Sequence, residues 1–103
     1  MKSFNEKVID LMRKIPKGKV TTYKLIAHKL GCKAYRAVGN AVGANPYAPV
    51  VPCHRVCKTN GTVGNYGGGV GKKIKLLREE GIKIDGESKK SKIINFDKVL
   101  FKF

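Results

Sequence analysis

Residues 21–43 read Thr21-Thr22-Tyr23-Lys24-Leu25-Ile26-Ala27-His28-Lys29-Leu30-Gly31-Cys32-Lys33-Ala34-Tyr35-Arg36-Ala37-Val38-Gly39-Asn40-Ala41-Val42-Gly43. Leu25, Ile26 and Leu30 make an apolar stripe at helical spacing, so a helix is expected from Tyr23 to Leu30, capped by the hydroxyl of Thr21 or Thr22. Gly31 suits its end, because glycine enters the left-handed conformation of a helix stop without steric cost. A further helix is expected from Lys33 to Gly43, closed before Asn45-Pro46, since proline pushes the residue before it out of the helical region. Two short helices across a tight glycine-containing turn have the outline of a helix-turn-helix, an outline that ordinary helical hairpins share. The second of the pair is built on Ala34, Ala37, Gly39, Ala41 and Gly43. Each interior glycine costs about 1 kcal/mol relative to alanine. Such a surface suits something that approaches closely, either a nucleic-acid backbone or another helix.

Working outward, Ser3 and Glu6 form a capping box, and Val8, Leu11, Met12 and Ile15 recur at helical spacing until Pro16 and Gly18. On the other side, Asn45 to Val51 is a proline-punctuated loop that leads into Val51-Pro52-Cys53-His54-Arg55-Val56. A thiol does nucleophilic chemistry as thiolate, so it needs a base or a positive field beside it. His54 supplies the base and Arg55 fixed charge. Neighbouring side chains on a strand face opposite ways, so Cys53 and His54 can cooperate only in a turn or helical bend, which Pro52 favours. The competing reading is a buried structural cysteine beside a satisfied histidine. An imidazole that works as a base needs a carboxylate to hold its tautomer, and Glu79 or Glu80 is the nearest in sequence. His28, between Lys24 and Lys29, reads as a surface or groove-edge residue.

The glycine-rich stretch from Lys58 to Gly69 lacks the spacing of a P-loop, though its glycines leave backbone N–H groups open to a ligand or simply make a flexible loop. A last helix is expected from Val70 to Glu80, with Val70, Ile74 and Leu77 on one face and Gly81 as its stop. A small hairpin or wing around Asp85-Gly86 and a docked end, Val99 to Phe103, complete the chain. The expected fold is mostly α, a winged-helix-like helix-turn-helix with a few short β-strands, as a single domain over residues 1–103.

The charge is lopsided: 22 Lys and Arg face 7 Asp and Glu, for a net +15. No acid falls between Leu11 and Arg78, which leaves one electropositive centre suited to a polyanion, nucleic acid first and a membrane surface second. Cys32, Cys53 and Cys57 are irregularly spaced and imply no disulfide framework. Together with His54 they number enough for a metal site, but C-H-x-x-C is not a zinc-knuckle spacing, and the zinc-deaminase pattern requires P-C-x-x-C with an upstream H-x-E. No metal or cofactor is expected. No apolar run approaches membrane-spanning length and the start does not read as a signal peptide, so a cytoplasmic or nucleoid location is expected.

Taken in order, Val20-Thr21-Thr22-Tyr23, Arg36-Ala37-Val38-Gly39, Asn45-Pro46, Pro52-Cys53-His54-Arg55-Val56, Gly64-Asn65-Tyr66-Gly67-Gly68, Leu76-Leu77 and Glu80-Gly81 resemble the DNA-binding, active-site domain of 6-O-alkylguanine-DNA alkyltransferases. The resemblance runs from Phe4 to Ile84, and Pro-Cys-His-Arg-Val is highly specific. It implies direct-reversal DNA repair: irreversible, single-turnover transfer of the alkyl group from 6-O-alkylguanine in double-stranded DNA to Cys53, by a monomer without cofactor. Activity on 4-O-alkylthymine stays open. By the same resemblance His54 takes the thiol proton through a water, Glu80 orients and charge-balances His54, and Tyr23 donates to the guanine as it leaves. Arg36 is the finger that fills the gap left by the flipped base, with Thr22, Tyr23, Ala37, Asn40 and Arg55 on the same DNA surface. Asn45 braces the active-site loop, while Val56, Tyr66, Gly67 and Gly68 form the base pocket.

The physics agrees with this reading. A methyl buried in the base stack is reached only by flipping the base out, small residues permit close minor-groove approach, and basic charge gives sequence-independent affinity. Two departures stand out. Most of the family carries an additional amino-terminal domain, expected to be missing from this chain, and a serine common at the position of Gly67 is lost. Relatives that bind lesions without repairing them replace the nucleophile, usually by tryptophan, so Cys53 favours catalysis. A non-catalytic lesion sensor and a plain helix-turn-helix binder are the alternatives.

Overall fold

The computed structural model describes residues 2–47, 50–66 and 68–103. In chain order the elements are α1 (Phe4–Arg13), β1 (Thr21–Thr22), α2 (Tyr23–Lys29), α3 (Tyr35–Gly43), a 3₁₀ turn (Cys53–Arg55), β2 (Val56–Cys57), α4 (Val70–Glu79) and α5 (Phe96–Val99). The fold is mostly helical with a small two-stranded sheet, as the sequence leads one to expect.

The helix ends show how local chemistry sets these boundaries. At α1 the Ser3 hydroxyl accepts the Glu6 N–H while the Glu6 carboxylate accepts the Ser3 N–H, a complete capping box. At α2 the cap is Thr22, whose Oγ1 accepts the Leu25 N–H at 3.1 Å. α3 begins at Tyr35 instead of Lys33, because Ala34 occupies the cap position and has no side-chain acceptor to start the helix earlier. α4 ends one residue before Glu80, which is its C-cap, and Gly81 follows in the left-handed region at φ 90°.

β1 and β2 pair in parallel, with Thr21 opposite Val56 and Thr22 opposite Cys57. The chain end docks beside them: the Val20 N–H donates to the Val99 carbonyl at 2.9 Å, and the Phe101 N–H to the Val20 carbonyl at 2.7 Å. The expected wing is present as isolated antiparallel bridges, Ile84 with Ile93 and Thr62 with Lys92. The sequence reading missed α5, whose cap Asn95 sits at φ 56° and turns the chain into a single helical turn.

Two apolar clusters hold these pieces. One joins Val8, Leu11, Met12 and Ile15 to Ile26 and Ala27 of α2 and Val38, Ala41 and Val42 of α3. The other gathers Val20, Val63, Ile74, Leu77 and Ile82 with Ile84 and Ile93. Each fully buried aliphatic side chain contributes about 1.5–3 kcal/mol. Cys53 and Val56 belong to the first cluster and Cys57 to the second. The Cys-His turn therefore sits on the seam between them. Among the described residues, no helix is long and apolar enough to cross a membrane.

Candidate active site

Pro52 sets the geometry of the turn. It precedes the turn at φ −82° and ψ 70°, and Val56 leaves it extended at φ −103° and ψ 119°. Within the turn the Arg55 N–H donates to the Pro52 carbonyl at 3.0 Å. The bend that cooperation between Cys53 and His54 requires is thus present. Cys53 is 7% exposed and His54 2% exposed.

His54 reaches across to the end of α4, where its Nε2 lies 3.1 Å from Glu80 Oε2. A carboxylate oxygen only accepts, so Nε2 carries the hydrogen and Nδ1 keeps its lone pair. Nδ1 is buried and has no partner among the described residues. Burial above all holds the imidazole pKa below its usual value; Arg55 and Lys73 push the same way, and Glu80 opposes them. For Glu80 burial alone would raise the pKa, but the hydrogen bonds and charges of Arg55 and His54 outweigh it and hold the carboxyl below the usual range.

Arg55 faces inward. Its Nε donates to Glu80 Oε1 at 2.9 Å and its Nη2 to Glu80 Oε2 at 2.5 Å, while Nη1 reaches the Ile15 carbonyl at 2.7 Å. The expectation that Arg55 contacts DNA is corrected on that ground: its fork is committed to a carboxylate and a carbonyl inside the protein.

Lys73 was not anticipated as part of the site. It is 0% exposed, and its Nζ donates to the Val56 carbonyl at 2.7 Å and the Asn65 carbonyl at 3.2 Å. It ties β2 to the glycine-rich segment. Burial lowers its ammonium pKa, against the pull of Cys57 and Cys53. A signal existed: position 73 falls on the same inward stripe as Val70, Ile74 and Leu77.

Cys53 opens into a cavity of about 580 Å³. It is lined by Tyr23 and Asn45, by Gly39, Val42 and Gly43 of α3, and by Asn65, Tyr66, Gly68 and Lys72. Burial chiefly, then Cys57 and Cys53, pushes the Tyr23 hydroxyl pKa up to about 12, so it stays a hydrogen-bond donor at neutral pH. Burial chiefly also pushes Tyr66 up to about 12 and Cys57 up to about 11. Asn45 braces the loop before the thiol, donating from Nδ2 to the Val51 carbonyl at 2.8 Å and accepting the Tyr47 N–H at 3.0 Å. Gly67 lies outside the described residues.

On α3, Arg36, Ala37 and Asn40 are exposed, whereas Thr22 is buried at its cap position. A Cβ added to Gly39 or Gly43 would meet nothing within 4 Å. Among the described residues, no helix of this chain therefore packs against Gly39 or Gly43, whereas Ala41 packs in the core. His28 is exposed and hydrogen-bonds the Tyr35 hydroxyl at 3.4 Å, away from the Cys-His turn. No group of three or more metal-ligating side chains occurs among the described residues.

The chemistry and the shape have counterparts among known proteins. The family model for the DNA-binding domain of 6-O-methylguanine DNA methyltransferase matches residues 3–82. The methylated-DNA--protein-cysteine methyltransferase of Salmonella typhimurium is 52% identical over 79 residues, covering 76% of this chain and 46% of that protein. The Candida glabrata protein of the same name is 45% identical over 96 residues, covering 88% and 46%. The chain thus spans about half the length of these curated relatives. The crystal structure of Mycobacterium tuberculosis OGT in complex with DNA is similar at TM-score 0.74 and 42% identity, over 78% of this chain and 50% of that one. S. pombe Atl1, in complex with damaged DNA containing O6-carboxymethylguanine, is similar at TM-score 0.83 and 32% identity over 100% of both chains.

Proposed function

The chain belongs to the 6-O-methylguanine DNA methyltransferase family, and from that premise we propose that it repairs 6-O-alkylguanine in double-stranded DNA by moving the alkyl group to Cys53. One observation carries the reading: a thiol that lines a cavity of about 580 Å³ shares a turn with an imidazole held by Glu80. The thiol proton passes to His54 Nδ1 through a bridging water. The sulfur then attacks the alkyl carbon, the carbon–oxygen bond breaks, and its electron pair stays on the guanine oxygen. Tyr23 donates a hydrogen bond to the leaving base and stabilises the charge that develops there. The thioether is stable, so each molecule acts once.

Arg36 enters the duplex and offsets the stacking lost when the base flips, with Ala37 and Asn40 beside it on the minor-groove face. Asn45 holds the loop, and Tyr66 and Gly68 line the base pocket. On this reading the protein is a monomer that needs no cofactor, in the cytoplasm or on the nucleoid. The test is intact-mass measurement after incubation with duplex containing 6-O-methylguanine. One methyl group added, mapped to Cys53, is the expected result. Unchanged mass with lesion binding retained would replace the reading by a non-catalytic lesion sensor.

A further inference from the structure

Glu80 serves two partners at once. His54 Nε2 meets its Oε2 at 3.1 Å, and Arg55 bridges both of its oxygens at 2.9 and 2.5 Å. Left alone in a buried site, a carboxylate beside an imidazole favours the imidazolium. An imidazolium has no free lone pair at Nδ1 and cannot accept a thiol proton. The arrangement that orients the base would then also disable it.

We propose that Arg55 is a positioning residue that neutralises Glu80, so that the carboxylate orients His54 without protonating it. A guanidinium keeps its charge throughout the accessible pH range, and its bidentate fork fixes a carboxylate in rotation as well as in charge. The third donor of Arg55, on the Ile15 carbonyl, anchors the fork just past the end of α1. Glu80 Oε2 is thereby held toward Nε2, which sets the tautomer with Nδ1 free. The charged groups that act on His54 are Glu80 at the end of α4, Arg55 on its own turn and Lys73 on α4, with the Cys53 thiol adjacent in the chain. Only Glu80 favours protonation, and Arg55 is the group that touches it.

The inference concerns the base of the proposed reaction, so the experiment uses two readouts on the whole chain: NMR titration of the His54 ring, and the pH dependence of single-turnover transfer from 6-O-methylguanine duplex. Arg55→Gln should raise the His54 midpoint by about one unit, which cuts the neutral fraction about tenfold on the acid side. The transfer rate should fall correspondingly more at about pH 6 than at about pH 8.5. Arg55→Lys keeps the charge but loses the fork, so the midpoint should stay within about 0.3 unit while the rate drops evenly with pH. An unmoved midpoint in Arg55→Gln overturns the proposal. So does a full-unit rise in Arg55→Lys, which decides the matter if the glutamine variant does not fold. Duplex affinity, measured in a Cys53→Ser background, should survive both changes; a loss as large as that of Arg36→Ala would return Arg55 to the DNA face. If the unaltered protein transfers no alkyl group, the functional reading fails while the ring titration still tests Arg55.

Discussion

At His54 burial and charge have a consequence for stability as well as for catalysis. Its folded pKa lies below the unfolded value of about 6.5, so in the window beneath that value the unfolded chain binds the extra proton more readily. Stability therefore falls as pH drops from about 6.5 toward the lowered value. Melting curves should show Tm declining between about pH 7 and pH 5, with His54→Gln flattening that part of the slope; equal slopes in both proteins would contradict the assignment. Asn45→Ala removes two loop hydrogen bonds, and should cost about 1–2 kcal/mol by chemical denaturation while slowing transfer more than duplex binding. Arg36→Ala should slow transfer from duplex far more than reaction with the free modified base, because only the duplex needs its stack filled. Equal losses on both substrates would remove that role. At this scale the Cys53–His54 pair was legible, and a centre without acids narrowed the carboxylate to Glu79 or Glu80, between which the family resemblance chose Glu80. Arg55 was misread for the opposite reason: in a chain with so many cations, no pattern separates one buried against a carboxylate from those in solvent.

The elements repeat the lesson with periodicity in place of charge. The α3 glycines were legible as a liability within a helix, and the structure shows the face they leave open beside the cavity. Gly43→Ala should therefore raise stability, by up to about 1 kcal/mol in thermal or chemical melts, since the added methyl meets nothing. The same change should weaken duplex binding, because that bare face is where a nucleic-acid backbone can come close. A gain in stability with unchanged affinity would show that the duplex avoids this part of α3. Helices with caps and stripes were readable to within a residue or two. α5 was not, because a single turn has no period to detect and its entry depends on one left-handed asparagine.

Over the whole molecule the excess of 15 positive charges would, on the proposed function, set the terms of encounter with DNA. Binding to undamaged duplex should fall steeply with salt, by about 10³-fold between 50 and 200 mM if roughly six phosphates are neutralised. A nearly flat dependence would mean that the basic surface is not the docking surface. The division into two apolar clusters with the reactive turn on their seam was not legible, since it depends on contacts between residues far apart in the chain. The docking of the last residues beside Val20 belongs to the same long-range architecture, and it carries a consequence of its own. Clipping the backbone ahead of Val99 would remove the bonds at Val99 and Phe101 without touching any side chain of the cavity. Val20 would lose its splint, and the slackening would pass through Thr21 and Thr22 to Tyr23, so a cut there should register first as a badly aimed phenol.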